Sequence, residues 1–211
     1  MPAFVVSIDG TDFSGKTTIA NIVTEMLRQK NKRFEVKRTN VPSDFATGTF
    51  TKILRSSAEN IPAEVFSLVY AADHLFHYIN SIKPLEESEK KYVVVQERSL
   101  MSTFIYQGLL GKVDFSWMQE INKYDKNIPH LTIVLKIPTD ELLKRKSLDR
   151  RMFDKFEAED HLKKQVQIFY NLPQDLAKKF NVKYVDGNAD ATTVAERCVE
   201  IIQKEIDKRF K

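Results

Sequence analysis

Apolar residues in this chain fall in short unbroken runs, and between the runs they recur every three or four positions. The run Ala3-Phe4-Val5-Val6-Ser7-Ile8 predicts a buried central strand, and segment 18–30 after it predicts the helix that crosses to the next strand. Phe34-Glu35-Val36-Lys37-Arg38 alternates and predicts a second strand; Asn40 to Gly48, with Pro42, Ser43 and Asp44, predicts a loop leading to a short helix through Ile53. From Pro62 to about Ile82, Val65, Leu68, Val69, Ala72, Leu75, Phe76 and Ile79 share related faces of one long helix. Pro84 should close it, because the residue before a proline is pushed out of helical geometry.

Tyr92-Val93-Val94-Val95 has the signature of a strand buried on both faces. Two short helices are expected around 100–109 and 114–124, then a strand from Leu131 to Ile137 that Pro138 ends, with Thr139 or Asp140 capping the next helix. Residues 144–157 are polar and carry both charge signs; 158–180 returns to a helical pattern interrupted at Pro173. Val182-Lys183-Tyr184-Val185 predicts the last strand and Thr192 to Arg209 the closing helix. Strands alternating with helices predict an α/β fold of three layers, a doubly wound parallel sheet with helices on both faces. No internal repeat, low-complexity tract or linker interrupts it, so residues 1–211 read as a single domain.

Composition narrows the class. Hydrophobic residues make up 42% and charged residues 29%, which suits a soluble globular protein and excludes a disordered one. The pI of about 9.0 raises nucleic acid as a partner, yet the 33 Lys and Arg barely outnumber the 29 Asp and Glu. No basic block is long enough to serve as a nucleic-acid arm, and a modest positive balance equally suits an enzyme that handles several phosphates. Cys198 is the sole cysteine, so no intrachain disulfide is expected, and it reads as a small buried hydrophobe. No run approaches the ~20 apolar residues of a membrane span. Met1-Pro2-Ala3-Phe4 enters the first strand without the layout of a signal peptide, so a cytoplasmic protein without membrane or nucleic-acid partners is expected.

The chemistry concentrates between the first strand and the first helix, in Gly10-Thr11-Asp12-Phe13-Ser14-Gly15-Lys16-Thr17-Thr18. Gly10, Gly15, Lys16 and Thr17 fit the phosphate-binding P-loop pattern in the strand–loop–helix setting that the pattern requires. Glycines let the backbone curl round an anion, and the helix N-terminus adds positive potential. Lys16 is expected to reach the outer phosphates of a nucleoside triphosphate, and Thr17 to complete the shell of Mg²⁺. The competing reading is a glycine turn that binds nothing.

In open α/β sheets, ligands bind outside the carboxyl ends of the strands, and the third strand ends there in Gln96-Glu97-Arg98-Ser99. Glu97 can hold a water on Mg²⁺ or fix a neighbour, while Arg98 can fork onto a phosphate. An exposed loop ion pair is the alternative.

Taken together, the acidic P-loop, Tyr70-Ala71-Ala72-Asp73 in the middle helix, and Glu97-Arg98-Ser99 with Ser102, Tyr106 and Gln107 resemble thymidylate (dTMP) kinase. The resemblance continues through Pro129-His130-Leu131-Thr132-Ile133-Val134-Leu135, the Arg145 region, Asp154-Lys155-Phe156-Glu157 and Val185-Asp186-Gly187, and so covers nearly the whole chain. It implies a P-loop kinase fold with a basic lid at about 144–157 and transfer of phosphate from ATP to dTMP, with Mg²⁺, in dTTP biosynthesis. It implies that Asp12 accepts the 3′-hydroxyl of the deoxyribose, Tyr70 stacks on the base, Arg98 grips the acceptor phosphate, and Glu97 stands for the usual Asp. Ser102 and Tyr106 would line the base and sugar pocket, and Gly187 to Ala191, with Asn188, the loop beside adenine. Family members are commonly homodimers through helices that include the middle one.

Some members carry an arginine inside the P-loop; here that position is Phe13. Others supply it from the lid, and Lys144-Arg145-Lys146 with Arg150-Arg151 point to that type. A solvated helix face is the alternative for any one of these arginines.

Three positions depart from the family. His74 replaces the arginine that reads the base, with Thr103 placed to take over. Asn40-Val41-Pro42 replaces Arg-x-Pro, so a phosphate or pocket contact is missing or relocated. Ser99 replaces an aromatic residue beside the sugar, which loosens the wall against a 2′-hydroxyl. Glu97-Arg98-Ser99 is also the motif of deoxynucleoside kinases, whose carboxylate is a general base for a free 5′-hydroxyl. That class, a monophosphate kinase of altered base specificity, and a non-catalytic nucleotide-binding regulator are the alternatives. Against the regulator, Lys16, Arg98 and the basic lid are all present.

Overall fold

A computed structural model describes residues 3–30, 33–57, 59–149 and 159–210. Its centre is a five-stranded, all-parallel sheet of β1 (Ala3–Gly10), β2 (Glu35–Asn40), β3 (Tyr92–Glu97), β4 (Leu131–Lys136) and β5 (Val182–Asp186), in the order β2-β3-β1-β4-β5. β1 is buried along its whole length, and β3 and β4 along all but their last residue. Continuous apolar runs mark strands covered on both faces, as these are.

One face is covered by α1 (Lys16–Lys30) and α10 (Ala191–Arg209). Ile19, Val23 and Leu27 of the first and Val194, Cys198, Ile202 and Ile206 of the second pack on Phe4, Val6, Ile8, Val93 and Val95. Cys198 is fully buried there, and burial pushes its thiol up to about 12, so it packs as a hydrophobe. The opposite face is covered by α5 (Leu100–Thr103) and the π-helical segment Phe104–Leu110, with α6 (Phe115–Ile121), α8 (Glu159–Tyr170) and α9 (Gln174–Lys179). Met101, Phe104, Ile105, Met118, Phe169 and Phe180 form its core.

Three local expectations change. The helix expected to stop before Pro84 runs as α3 (Ala63–His77), widens into a π-helical segment over Tyr78–Ile82, and continues as α4 (Lys83–Glu86). Pro84 lies in the first turn of α4, directly after the π-helical segment, in which Lys83 N–H donates to the Tyr78 carbonyl. Helix α7 (Thr139–Leu148) takes Pro138 as its N-cap, and neither Thr139 nor Asp140 caps it. Helix α2 (Ala46–Ser56) runs one turn beyond Ile53, which makes Arg55 part of it.

Because every strand points the same way, Gly10, Asn40, Glu97, Lys136 and Asp186 end along one edge of the sheet. No helix among the described residues is long and apolar enough to cross a membrane.

Candidate active site

The loop after β1 turns on two glycines. Gly10 has φ 143°, and a Cβ there would meet Ser14 Oγ at 3.0 Å and the Leu135 carbonyl at 3.2 Å; Gly15 has φ 85°. Ser14 Oγ donates to the Thr11 carbonyl at 2.8 Å and Lys16 Nζ donates to the same oxygen at 2.5 Å, so the lysine curls back over its own loop. Burial, and next the positive charge of Arg98, pull the Lys16 ammonium down to about 7. Phe13 holds φ 62° and packs its ring among Ile137, Leu142 and Leu162, between α7 and α8. Thr18 is exposed at the cleft rim.

Thr17 Oγ1 donates to Glu97 Oε1 at 2.7 Å, and Arg38 Nη2 of β2 meets Glu97 Oε2 at 2.7 Å. Burial opposes ionisation of Glu97, but the Thr17 hydrogen bond and the charges of Lys16, Arg98 and Arg38 hold its carboxyl below the usual range. Asn40 does not stand in for the family's arginine: its amide donates to the Pro42 carbonyl at 2.6 Å and shapes the loop. The cation on this stretch of β2 is Arg38, two residues earlier on the same face of the strand.

Arg98 leaves β3 at φ 61°. Its carbonyl accepts from Gln96 Nε2 at 2.8 Å, and Gln96 is held in turn by Asn127 Nδ2 at 2.8 Å. The guanidinium pairs with Asp12 and lies 5.4 Å from the centre of the Tyr106 ring. Burial works against the Asp12 charge, yet Arg98, Lys16 and Arg55 outweigh it and hold the carboxyl well below the carboxylate range. Beneath them Asp9 collects three hydroxyls, from Ser7 and Ser102 at 2.5 Å and from Ser99 at 3.0 Å. Ser99 and Ser102 therefore border the pocket with their hydroxyls turned to Asp9, which ties the turn after β3 to the end of β1.

Two clefts meet at this edge. An open one of about 880 Å³ is bordered by the P-loop, Arg38, Glu97, Arg98, Arg55 and Arg145. A smaller one is lined by Tyr70, Thr103, Tyr106 and Gln107, and shares Val41, Arg55 and Arg98 with the first. Tyr70 and Thr103 line this smaller cleft. His74 does not: it is buried behind Thr103, with Nε2 2.9 Å from the threonine hydroxyl, and burial pushes its ring down to about 4. A neutral ring in that position reaches the pocket only through Thr103. Its neighbour Asp73 binds Ser43 N at 2.8 Å, Ser43 Oγ at 2.5 Å and Thr47 Oγ1 at 2.8 Å, fixing α2 to α3.

Arg145 pairs with Glu141 at 2.9 Å and places Nη1 3.8 Å from where a Cβ on Gly15 would lie, directly over the phosphate loop. Arg150 and Arg151, with the rest of the predicted lid from 150 to 157, lie outside the described residues. Asn188 is exposed in the β5–α10 loop and does not border the large cleft.

Three residues of the site, two of them lining the clefts, escaped sequence reasoning. Arg38 and Arg55 looked like ordinary surface basic residues of a strand and a helix. Gln165 of α8 sat in a polar helical stretch; it donates to Asp12 Oδ2 at 3.1 Å and accepts from Asp12 N at 3.1 Å. Nothing local in the sequence marks any of the three.

A phosphate loop on the central strand of a parallel sheet, facing a second pocket across shared arginines, defines a P-loop phosphotransferase fold. The sequence model of thymidylate kinase matches residues 8–198. A protein named probable thymidylate kinase 1 from Saccharolobus solfataricus is 30% identical over 202 residues, 96% of this chain and 98% of that one. Proteins named probable thymidylate kinase from Sulfurisphaera tokodaii (32% over 203 residues, 96% of each chain) and Methanococcus aeolicus (30% over 212 residues, 100% of this chain and 99% of that one) match as fully. The chain belongs to the thymidylate kinase family.

Proposed function

We propose that this chain transfers the γ-phosphoryl group of ATP to dTMP, yielding ADP and dTDP, the step that leads to dTTP. The observation that carries this reading is the shared wall of the two clefts: Arg98 and Arg55 border both, so an acceptor phosphate held there faces the phosphate loop. Phosphoryl transfer needs positioning and charge neutralisation more than covalent help. The loop amides from Thr11 to Thr18 and Lys16 take the donor phosphates. Arg98 takes the acceptor phosphate, and Arg145 reaches the transferring group from above Gly15, with Arg150 and Arg151 as further lid candidates.

Asp12 receives the sugar 3′-hydroxyl. Tyr70 stacks on the base and Tyr106 walls the sugar. Thr103, oriented by His74, reads the base edge together with Gln107, whose Oε1 is buried at the smaller cleft without a hydrogen-bond partner among the described residues. Asn188 contributes to the adenine side only if its loop turns toward the cleft when ATP binds.

Hard oxygen donors suit Mg²⁺, and no cluster of three His, Cys, Asp or Glu among the described residues offers a cage of its own. Thr17 would hold the ion directly and Glu97 through water, with phosphates completing the shell; bound there, it neutralises charge on the transferring group. Glu97, occupied by Thr17 and Arg38, is poorly free to act as the general base that a deoxynucleoside kinase requires.

A cytoplasmic, single-domain homodimer completes the proposal. Leu68 and Phe76 of α3 and Ile79 of the π-helical segment after it are each about half exposed, an apolar face suited to a second copy. A coupled assay with ATP and Mg²⁺ against dTMP, dUMP, other monophosphates and free thymidine tests the reading, with ADP release expected on dTMP. Turnover of thymidine but not dTMP would place the enzyme among deoxynucleoside kinases.

A further inference from the structure

Gln165 is fully buried on α8, and its amide meets the P-loop tip and the pocket tyrosine. Oε1 accepts from Asp12 N at 3.1 Å and from Tyr106 OH at 3.1 Å; Nε2 donates to Asp12 Oδ2 at 3.1 Å. A primary amide is the one side-chain group that supplies an acceptor and a donor side by side in neutral form, as this arrangement needs.

The Tyr106 hydroxyl has one proton and two acceptors in range, Gln165 Oε1 at 3.1 Å and Asp12 Oδ2 at 3.4 Å. Drawing that proton to Gln165 keeps a lone pair of Asp12 Oδ2 open. Arg98 meanwhile fixes Oδ1. The carboxylate is therefore clamped on both oxygens, with one acceptor direction of Oδ2 kept open on the Gln165 side. Phe13, next in the chain, packs against the cluster of Ile137, Leu142 and Leu162, which Val166 also joins; Leu162 and Val166 flank Gln165 on α8 and tie it to the loop.

We propose that Gln165 is a positioning residue for the acceptor: it orients the Asp12 carboxylate and reserves one of its lone pairs for the sugar hydroxyl. This rests on the reading that Asp12 receives the 3′-hydroxyl of dTMP. The test compares kcat/KM for dTMP with that for its 3′-deoxy analogue, in the wild-type enzyme and in Gln165→Met and Gln165→Glu, with ATP saturating. Gln165→Met removes the hydrogen bonds to Asp12 and Tyr106 at similar length. Gln165→Glu keeps an oxygen that can accept from Asp12 N and Tyr106 OH but replaces the donor to Asp12 with a second carboxylate oxygen, so it reports where the methionine variant fails to fold.

The expected result is a preference of wild type for dTMP that falls about tenfold in either variant, the size of one charge-assisted hydrogen bond, with the KM for ATP within about twofold. Asp12→Asn should lose the same preference, and adding Gln165→Met to it should lose no more. A wild-type preference that both Gln165 variants retain overturns the inference alone. Equal losses on dTMP and the 3′-deoxy analogue likewise overturn it, since they mark a merely structural residue. A wild type that does not distinguish the two substrates instead removes the assignment of Asp12 to the 3′-hydroxyl.

Discussion

Asp12→Asn should cost stability as well as selectivity, and the structure sets the size of the cost. The side chains of Arg98 and Asp12 are 13% and 6% exposed, so the pair is essentially internal. Removing one partner of such a pair costs about 3–5 kcal/mol, because the other charge stays buried uncompensated. Asparagine keeps the volume and an acceptor for Gln165, and Arg98 keeps its Tyr106 contact, which favours the lower end, about 3 kcal/mol. For a chain of this size that lowers Tm by roughly 6–12 °C.

The pH dependence gives an independent check. The folded chain holds Asp12 ionised well below the usual carboxylate range, whereas in the unfolded chain it titrates near ~3.9. The unfolded state alone therefore takes up a proton as pH falls through that value, and the stability that the charge contributes is full above it and lost below it. Urea unfolding of wild type and variant should show a gap at about pH 5 that narrows below about pH 4. A gap under about 1 kcal/mol at neutral pH, or a more stable variant, would refute the claim that the pair is held at net benefit.

Other outcomes follow from the same structure. Arg145→Ala should lower kcat by roughly 10²–10³-fold, as loss of a charge aimed at the transferring group does, while the KM for ATP moves only a few-fold; unchanged turnover would return Arg145 to a pair with Glu141. Burial pushes His74, His77 and His130 each down to about 4, so the fold keeps neutral rings that the unfolded chain protonates below ~6.5. Asp125, which burial pushes up to about 6, works in the opposite sense. Unfolding free energy should thus fall by about 2 kcal/mol net between pH 6 and pH 5, and a flat profile in urea titrations would contradict it. Leu68→Glu with Phe76→Glu should turn a dimer into a monomer by sedimentation; a wild type already monomeric at micromolar concentration would dispose of the α3 interface.

What the sequence disclosed, and what it did not, divides by distance along the chain. The order of strands and helices, the phosphate loop and the placement of Glu97 and Arg98 at a strand end all follow from signals a few residues wide, and the sheet reproduces them. Local rules failed where a second element intervened. Pro84 does not end the middle helix, because a π-helical segment resets the hydrogen-bond ladder ahead of it. His74 shared a helix face with Tyr70 by spacing, yet Thr103 comes between it and the pocket. Phe13 looked like an arginine withheld from the loop; in the fold it is an anchor between α7 and α8. Arg38, Arg55 and Gln165 gain meaning only from partners on other elements, so nothing in their own neighbourhoods distinguished them.

The hydrogen bond from Gln165 to Asp12 joins residues 153 positions apart. Closing a flexible loop of that length costs about 4 kcal/mol of chain entropy, which a hydrogen bond or two cannot supply alone. The clamp therefore forms only after the sheet and its flanking helices have brought the two ends together. During synthesis, a nascent chain would carry a phosphate loop long before its acceptor carboxylate was aimed. Recovery of dTMP turnover after refolding would then track the last long-range docking event, later than any signal from helix content.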